Sequence, residues 1–392
     1  MDRNETRLLA LTFVTNLSRN MWVNLFPLYL DGIGFGVFEV SILSSLLLTL
    51  PLLSSGIAGY LADKYGVRGV LFASLAGQAL FLIPLIALKS LPAITASVMG
   101  LGIAMSLFSQ ACILAIARLA PSAKRGMAYG AYYFSTQLAF MGGAFVSGVV
   151  VAYLDYPWLF IISSLMTLAG LPLVSSLDLP PEALKDNLAS LWGRILNFDK
   201  IRRLIYTVAL HDFSAFIPGP FLPLFAKYVI GLNDAEVGFL YGARGLGTIL
   251  FQLISGKLAD VLGPVKALAT HIACVSLSLF LYSLSRDYLT ALAVMVFQGV
   301  IITLDMPARR SLIAAYAPKG RVGSTSGLTD MITGAATLPS PLIGGLLWSN
   351  LAPQSVFLVA SLLNLFSLIP LKGADSSLKR AVAGLVNGVK VR

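Results

Sequence analysis

Twelve long apolar runs, at about 8–30, 40–61, 70–88, 93–117, 128–153, 158–177, 205–230, 237–258, 265–284, 289–308, 323–348 and 356–371, occupy most of the chain and leave only short connectors. A run of roughly 20 apolar residues crosses the ~30 Å hydrocarbon core of a bilayer as a helix. Lipid offers no partner to a bare N–H or C=O, so each run must pair its backbone internally. The period-2 alternation of a membrane barrel is absent, which leaves helices. Charge agrees: only 12% of the 392 residues are Asp, Glu, Lys or Arg, about half of what a soluble domain uses to cover its core. With 57% apolar residues and a mean hydropathy of +0.83, a soluble fold is excluded. The expectation is an all-α integral membrane protein of twelve transmembrane helices.

The net charge of +10 does not point to nucleic acid, because the basic residues sit between the apolar runs and form no single patch. Twenty-three of the 28 Lys and Arg fall in the amino-terminal segment, the even-to-odd loops and the tail. Only Lys89, Lys227 and Arg286 fall on the opposite side. Basic residues are retained in the cytoplasm, so both termini are expected there, with the chain in the inner cell membrane. Met1 to Leu30 carries charge on both sides of its apolar stretch and no small-residue cleavage site, and reads as a first span and not a signal peptide. Cys112 and Cys274 both lie in apolar runs, which leaves no disulfide framework, no metal cluster and no cofactor to expect.

The chain repeats itself. Glu39-Val40-Ser41-Ile42-Leu43 returns as Glu236-Val237-Gly238-Phe239-Leu240, and Gly59-Tyr60-Leu61-Ala62-Asp63 as Gly256-Lys257-Leu258-Ala259-Asp260, both at an offset of 197 residues. Phe26-Pro27-Leu28-Tyr29-Leu30 answers Leu222-Pro223-Leu224-Phe225-Ala226 at 196. Six helices per half is an even number, so the halves are parallel repeats about an axis along the membrane normal, with a pathway where they meet. The expected divisions are 1–177, a cytoplasmic linker at 178–203, 204–372, and a tail at 373–392. Leu184, Leu188, Leu191, Trp192, Ile195 and Phe198 give the linker an amphipathic helix, and Leu378, Val382, Leu385 and Val389 do the same for the tail.

Gly59-Tyr60-Leu61-Ala62-Asp63-Lys64-Tyr65-Gly66-Val67-Arg68 resembles, in position and spacing, the loop signature between helices 2 and 3 of the major facilitator superfamily. The resemblance extends over the chain through the twelve runs and the duplicated loop. It implies a transporter of that fold, working as a monomer by alternating access on a small-molecule substrate. In the family this aspartate is thought to hold the cytoplasmic gate, which assigns gating to Gly59, Asp63, Lys64, Gly66, Arg68, Gly256 and Asp260. Physically, Gly lets helices approach closely, and a carboxylate at a helix end can meet the positive end of a neighbour. The second copy lacks the basic residue after its Asp260 and should be the weaker latch. The Gly-Pro-x-x-Gly-Gly of many drug exporters is matched by Gly143 to Gly148 without the Pro, and more closely by Ser340 to Gly345 in the other half. The resemblance also implies that helices 3, 6, 9 and 12 stand outside the central cavity.

Charges within spans are costly, which makes each a functional candidate. They are Arg19, His211, Asp212, Arg244, Asp305 and Asp330. Arg19, Arg244 and His211 are assigned to substrate binding; Asp212, Asp330 and Asp305 are assigned to proton coupling, with Arg244 expected to meet one of the carboxylates. Asp305 can also pair with Arg309 one turn on. His271 reads as a satisfied packing residue. Pro218, Gly219, Pro220 and Pro223 in helix 7, and Gly334, Pro339 and Pro341 in helix 11, supply joints for bending. The expected function is proton-coupled efflux of an amphipathic or drug-like compound, by antiport. Uptake or exchange of an organic anion is the alternative, suggested by Arg19 and Arg244. An integral-membrane enzyme is disfavoured, because no His-Glu-x-x-His, Gly-x-Ser-x-Gly or cysteine cluster occurs.

Overall fold

A computed structural model describes residues 3–119, 125–179, 199–317 and 322–371. The expected amphipathic helices of linker and tail lie outside these residues. The described chain is helical throughout. The first half comprises α1 (Arg3–Trp22, then Phe26–Gly32), α2 (Val37–Leu53, then Ser55–Tyr65), α3 (Val67–Ala87), α4 (Leu91–Leu119), α5 (Arg125–Tyr153) and α6 (Tyr156–Ala169, then Leu171–Ser175). The second comprises α7 (Asp199–Phe216, then Phe221–Phe225 and a π-turn Ala226–Ile230), α8 (Asp234–Leu262), α9 (Pro264–Leu284), α10 (Tyr288–Ile302, then Asp305–Tyr316), α11 (Val322–Thr337, then Ser340–Asn350) and α12 (Pro353–Phe366).

Nine of these are long and apolar enough to cross a membrane, and ten once the two pieces of α2, bent by 48°, are taken as one span. The other two are α1 and α8, the helices that carry Arg19 and Arg244. The breaks have local causes. Proline removes an N–H and crowds the carbonyl four residues back: α7 opens at Pro218-Gly219-Pro220, α11 at Pro339, and α10 at Thr303-Leu304, four residues before Pro307. The repeated Glu-Val is a helix start. Glu236 closes a capping box with Asn233, the two side chains accepting from each other's backbone N–H at 2.8 and 3.0 Å.

The halves meet along α5–α8 and α2–α11. Small residues set the α5–α8 approach, since a Cβ on Gly238 would lie 2.7 Å from the Gly148 backbone. Gly143 is pressed in the same way on Leu17 and Asn20 of α1. Gly345 faces Ser41 across α2–α11, and Ser45 donates to the Leu338 carbonyl there. The exporter-like glycine stretches therefore serve packing. Gly238→Ala is expected to cost ~1–3 kcal/mol by overpacking, read as a lower unfolding midpoint in detergent. An unchanged midpoint would mean that the helices separate freely.

The face with the Asp63 loop is termed inner and the face with Asp31 outer, following the charge count. At the outer face one apolar cluster joins both halves, with Trp22, Phe26 and Phe160 from the first and Phe221, Phe225 and Phe357 from the second. Towards the inner face the core divides into one cluster per half, around Leu8, Leu71 and Ala115 and around Leu204, Leu268 and Leu312.

Candidate functional site

Two cavities lie near the helix breaks. One, of about 190 Å³, sits between the halves, walled by Phe26 and Leu47 on one side and Phe216, Leu222, Tyr241 and Arg244 on the other. The second, of about 220 Å³, lies among α7, α8, α9 and α10, and His211, Asp212, His271, Gln298 and Asp305 line it. Phe216, Leu222 and Arg244 border both. Arg244 thus stands where the cavities adjoin. Its backbone is seated by α10, because a Cβ on Gly299 would collide with the Arg244 carbonyl.

The second cavity is organised by Arg309, which is 7% exposed. Its Nη1 and Nη2 donate to the two oxygens of Asp212 at 2.8 Å each. Its Nε and Nη2 donate to the two oxygens of Asp305 at 3.1 and 2.9 Å. A planar guanidinium forks to two carboxylates in a way that an ammonium cannot. Beside this triad the Nε2 atoms of His211 and His271 stand 3.1 Å apart. Among the described residues no group of three or more His, Cys, Asp or Glu is arranged to hold a metal ion.

Several expectations need correction. Arg244 is not ion-paired with any described carboxylate; Arg309 takes the position opposite Asp212. Asp330 stands apart from Asp212 and pairs with Arg310 at 3.4 Å. Arg19, partly buried, also has no carboxylate partner among the described residues and lies in the first half, near Tyr132. His271 is hydrogen-bonded, as a packing residue would be, and borders the second cavity, within its own half; among the described residues the inter-half cavity is lined from α1, α2, α7 and α8 and from none of helices 3, 6, 9 and 12. Arg309 lies one residue beyond the apolar run that ends at 308, and its pairing with Asp305 follows the spacing of four, while its fork to Asp212 does not follow from the sequence.

In the loop signature, Asp63 meets Arg118 of its own half at 3.3 Å, and among the described residues it has no partner in the other half. A Cβ on Gly59 or Gly256 would meet nothing within 4 Å. The close approach occurs at Gly56, where it would be 2.6 Å from the sulfur of Met331. Gly66 has φ +83° and its repeat Gly263 +79°, a left-handed conformation that favours glycine. Lys64 lies 5.8 and 5.1 Å from the ring centres of Tyr60 and Tyr65. Arg68 donates to the Ser175 carbonyl at 2.6 Å and Arg7 to that of Ser176 at 2.5 Å, satisfying the carbonyl end of α6. The side chain of Asp260 lies outside the described ones.

The outer face holds a second charge cluster, and this one spans the halves. Lys227 of α7 lies 3.3 Å from Asp31 and 3.5 Å from Asp234. Tyr228 donates to Asp31 at 2.6 Å, and Tyr156 of the first half donates to Asp234 of the second at 2.6 Å. The inner-face pairs Asp63–Arg118 and Arg310–Asp330 each stay within one half.

The repeat shows where the charge was placed. His211 and Asp212 answer Thr15 and Asn16 at an offset of 196; His271, Asp305, Arg309 and Asn364 answer Ser74, Phe108, Cys112 and Thr167 at 197. The first half fills these places with neutral groups, of which Cys112 bonds with Thr12 and Thr167 with Ser18.

The sequence model of the Major Facilitator Superfamily matches this chain twice, over residues 8–208 and 204–385. An uncharacterised MFS-type transporter of Methanocaldococcus jannaschii is 26% identical over 151 residues, 38% of this chain and 39% of that protein. The quinolone resistance protein NorA of Staphylococcus aureus is 25% identical over 150 residues, 38% of each chain. The chain thus spans about two fifths of the length of these curated relatives. Among solved structures, a POT family transporter in complex with a thioalcohol-conjugated peptide superposes with a TM-score of 0.82 at 14% identity, covering 95% of this chain and 96% of that one. A POT family transporter in complex with 5-aminolevulinic acid gives 0.82 at 13%, covering 96% and 97%.

Proposed function

The chain belongs to the Major Facilitator Superfamily of membrane transporters, and from that membership we propose that it exports a small amphipathic, drug-like solute by alternating access, driven by the proton gradient. The observation that carries this reading is the inter-half cavity: aromatic and aliphatic walls, closed over by the joined outer core, adjoin a buried cluster of titratable groups. An apolar wall takes up the hydrophobic body of such a solute, and a few placed polar groups orient it. The partial likeness to a quinolone resistance protein supports export. With the termini in the cytoplasm, the arrangement of cores corresponds to the inward-facing form, loaded from inside.

Uptake or exchange of an organic anion is the second reading, favoured by the guanidinium of Arg244, which has no ion-pair partner among the described residues, at the junction of the cavities. Everted vesicles with an imposed pH gradient separate the two. Accumulation of ethidium or a quinolone, abolished by collapsing the gradient, supports export; gradient-driven movement of a plain carboxylate such as benzoate, and of neither drug, overturns it.

The sidedness has its own test. Cysteine at Lys89 or Arg286, both exposed, is expected to react with an impermeant maleimide from outside, and cysteine at Arg194 only after permeabilisation. The reverse pattern overturns the inward-facing assignment.

A further inference from the structure

The histidine contacts require more protons than two neutral rings carry. Asn364 donates through Nδ2 to the Ile272 carbonyl and to Ser276 Oγ, both at 3.0 Å. That fixes its amide, because the opposite orientation would set an oxygen against a carbonyl oxygen. Its Oδ1 therefore faces His211 Nδ1 at 2.7 Å, and Nδ1 must carry the hydrogen. His271 Nδ1 stands 3.0 Å from the Ile301 carbonyl and must carry one as well. The remaining contact, Nε2 to Nε2 at 3.1 Å, needs a third hydrogen, since two bare lone pairs repel. Two neutral imidazoles supply two N–H groups. The geometry holds three.

The nearest charges favour the same proton: Asp212 and Asp305 with Arg309 sum to one negative charge beside the histidines, while Arg244, the fourth charge on the cavity, lies across it. The carboxylates are not free to take it, because all four of their oxygens accept from Arg309. The charged groups facing the pair are Asp212 from α7, Asp305 and Arg309 from α10, and Arg244 from α8 across the cavity; α12 presents the neutral Asn364. His211 and His271 are 4% and 2% exposed, and both border the cavity.

We propose that His211 and His271 hold one excess proton between their Nε2 atoms, and that this pair, with the triad as its counter-charge, is the site at which the driving proton is bound and released. The proton adds to an Nε2 lone pair from water in the cavity and returns to water on release; no other bond changes. Loss of the proton leaves the negative charge of the triad without its nearest counter-charge, which is costly in a membrane interior and gives protonation its hold on conformation. The first half has Thr15 and Ser74 at the two histidine places, so one such site exists per chain. The role in transport rests on the proton-driven reading above; the protonation itself does not.

The chain has only two histidines, so ¹⁵N-histidine labelling, with purification through a tag that contains none, gives a spectrum of this pair alone. Below its titration the pair is expected to show no bare ring nitrogen at either Nδ1 and one proton shared at Nε2, and to lose a single proton per chain in one step. Two rings with one bare nitrogen each throughout pH 5–8, where histidine ordinarily titrates, would overturn the proposal. In proteoliposomes, His211→Asn and His271→Asn are expected to lower gradient-driven quinolone accumulation by roughly tenfold or more while quinolone counterflow persists. Equal gradient-driven accumulation in wild type and both variants overturns the coupling role. Wild-type flux indifferent to the gradient sinks the proton-driven reading instead, and leaves the labelling result to stand or fall by itself.

Discussion

Arg309→Met is expected to destabilise the folded chain by about 3–5 kcal/mol, because removing one member of a buried ion group leaves its partners uncompensated. Asp212 and Asp305 would then face each other with their side chains only 13% and 15% exposed. The unfolding midpoint in mild detergent measures the loss. Arg309→Lys should recover part of it, since a single ammonium restores the charge but cannot fork to both carboxylates. Arg309→Met combined with Asp305→Asn should also recover part, by removing one of the two stranded charges. A midpoint unchanged in Arg309→Met would mean that water, and not the guanidinium, satisfies the carboxylates.

Lys227→Met should produce the second large effect, on conformation more than on stability. Lys227 is the cation between Asp31 and Asp234, with side chains 29%, 23% and 21% exposed. At that exposure each ion pair contributes no more than ~1 kcal/mol. Of the two pairs only Lys227–Asp31 crosses the halves, and its loss, about 1 kcal/mol, shifts the inward-to-outward ratio roughly fivefold towards outward-open. Spin labels on the outer ends of α1 and α7 would report it as a longer distance. Adding Asp31→Asn should reverse part of the shift, and high salt should shrink it, since exposed charges are screened. Unchanged distances would assign closure to the apolar core alone.

The helices were legible in the sequence because lipid selects them by one property, apolar length. The repeat was legible because turns and helix starts must recur where folds recur: Gly66 and Gly263 share a left-handed φ, and Glu236 forms a cap. The site was only half legible. Asp212, Asp305 and His211 stand out as charges or titratable groups inside apolar runs. Arg309 falls one residue beyond the run, where a charge is ordinary; its spacing of four from Asp305 allows that pair, but its fork to Asp212 takes the packing of α10 against α7. Asp31, Lys227 and Asp234 had the same fault. Each lies at a span end, where a charge is ordinary, and only the packing of α1 and α8 against α7 turns three ordinary charges into one latch. Asn364 and Ser276 carry no charge at all, yet they fix the protons of His211. Periodicity and charge have no means of finding a residue whose effect is the orientation of an amide.

The apolar cluster that joins the halves at the outer face has a thermal consequence. Opening that face must wet part of the surface around Phe26, Phe221 and Phe357, and each Å² of apolar surface brought into water raises the heat capacity by ~0.45 cal/mol/K. The equilibrium between the two forms therefore bends with temperature. Apolar closure weakens in the cold, so cooling draws the population outward, and the rate of the opening step should trace a curve and not a line against inverse temperature. The transporter carries its thermometer in the seal of its outer gate.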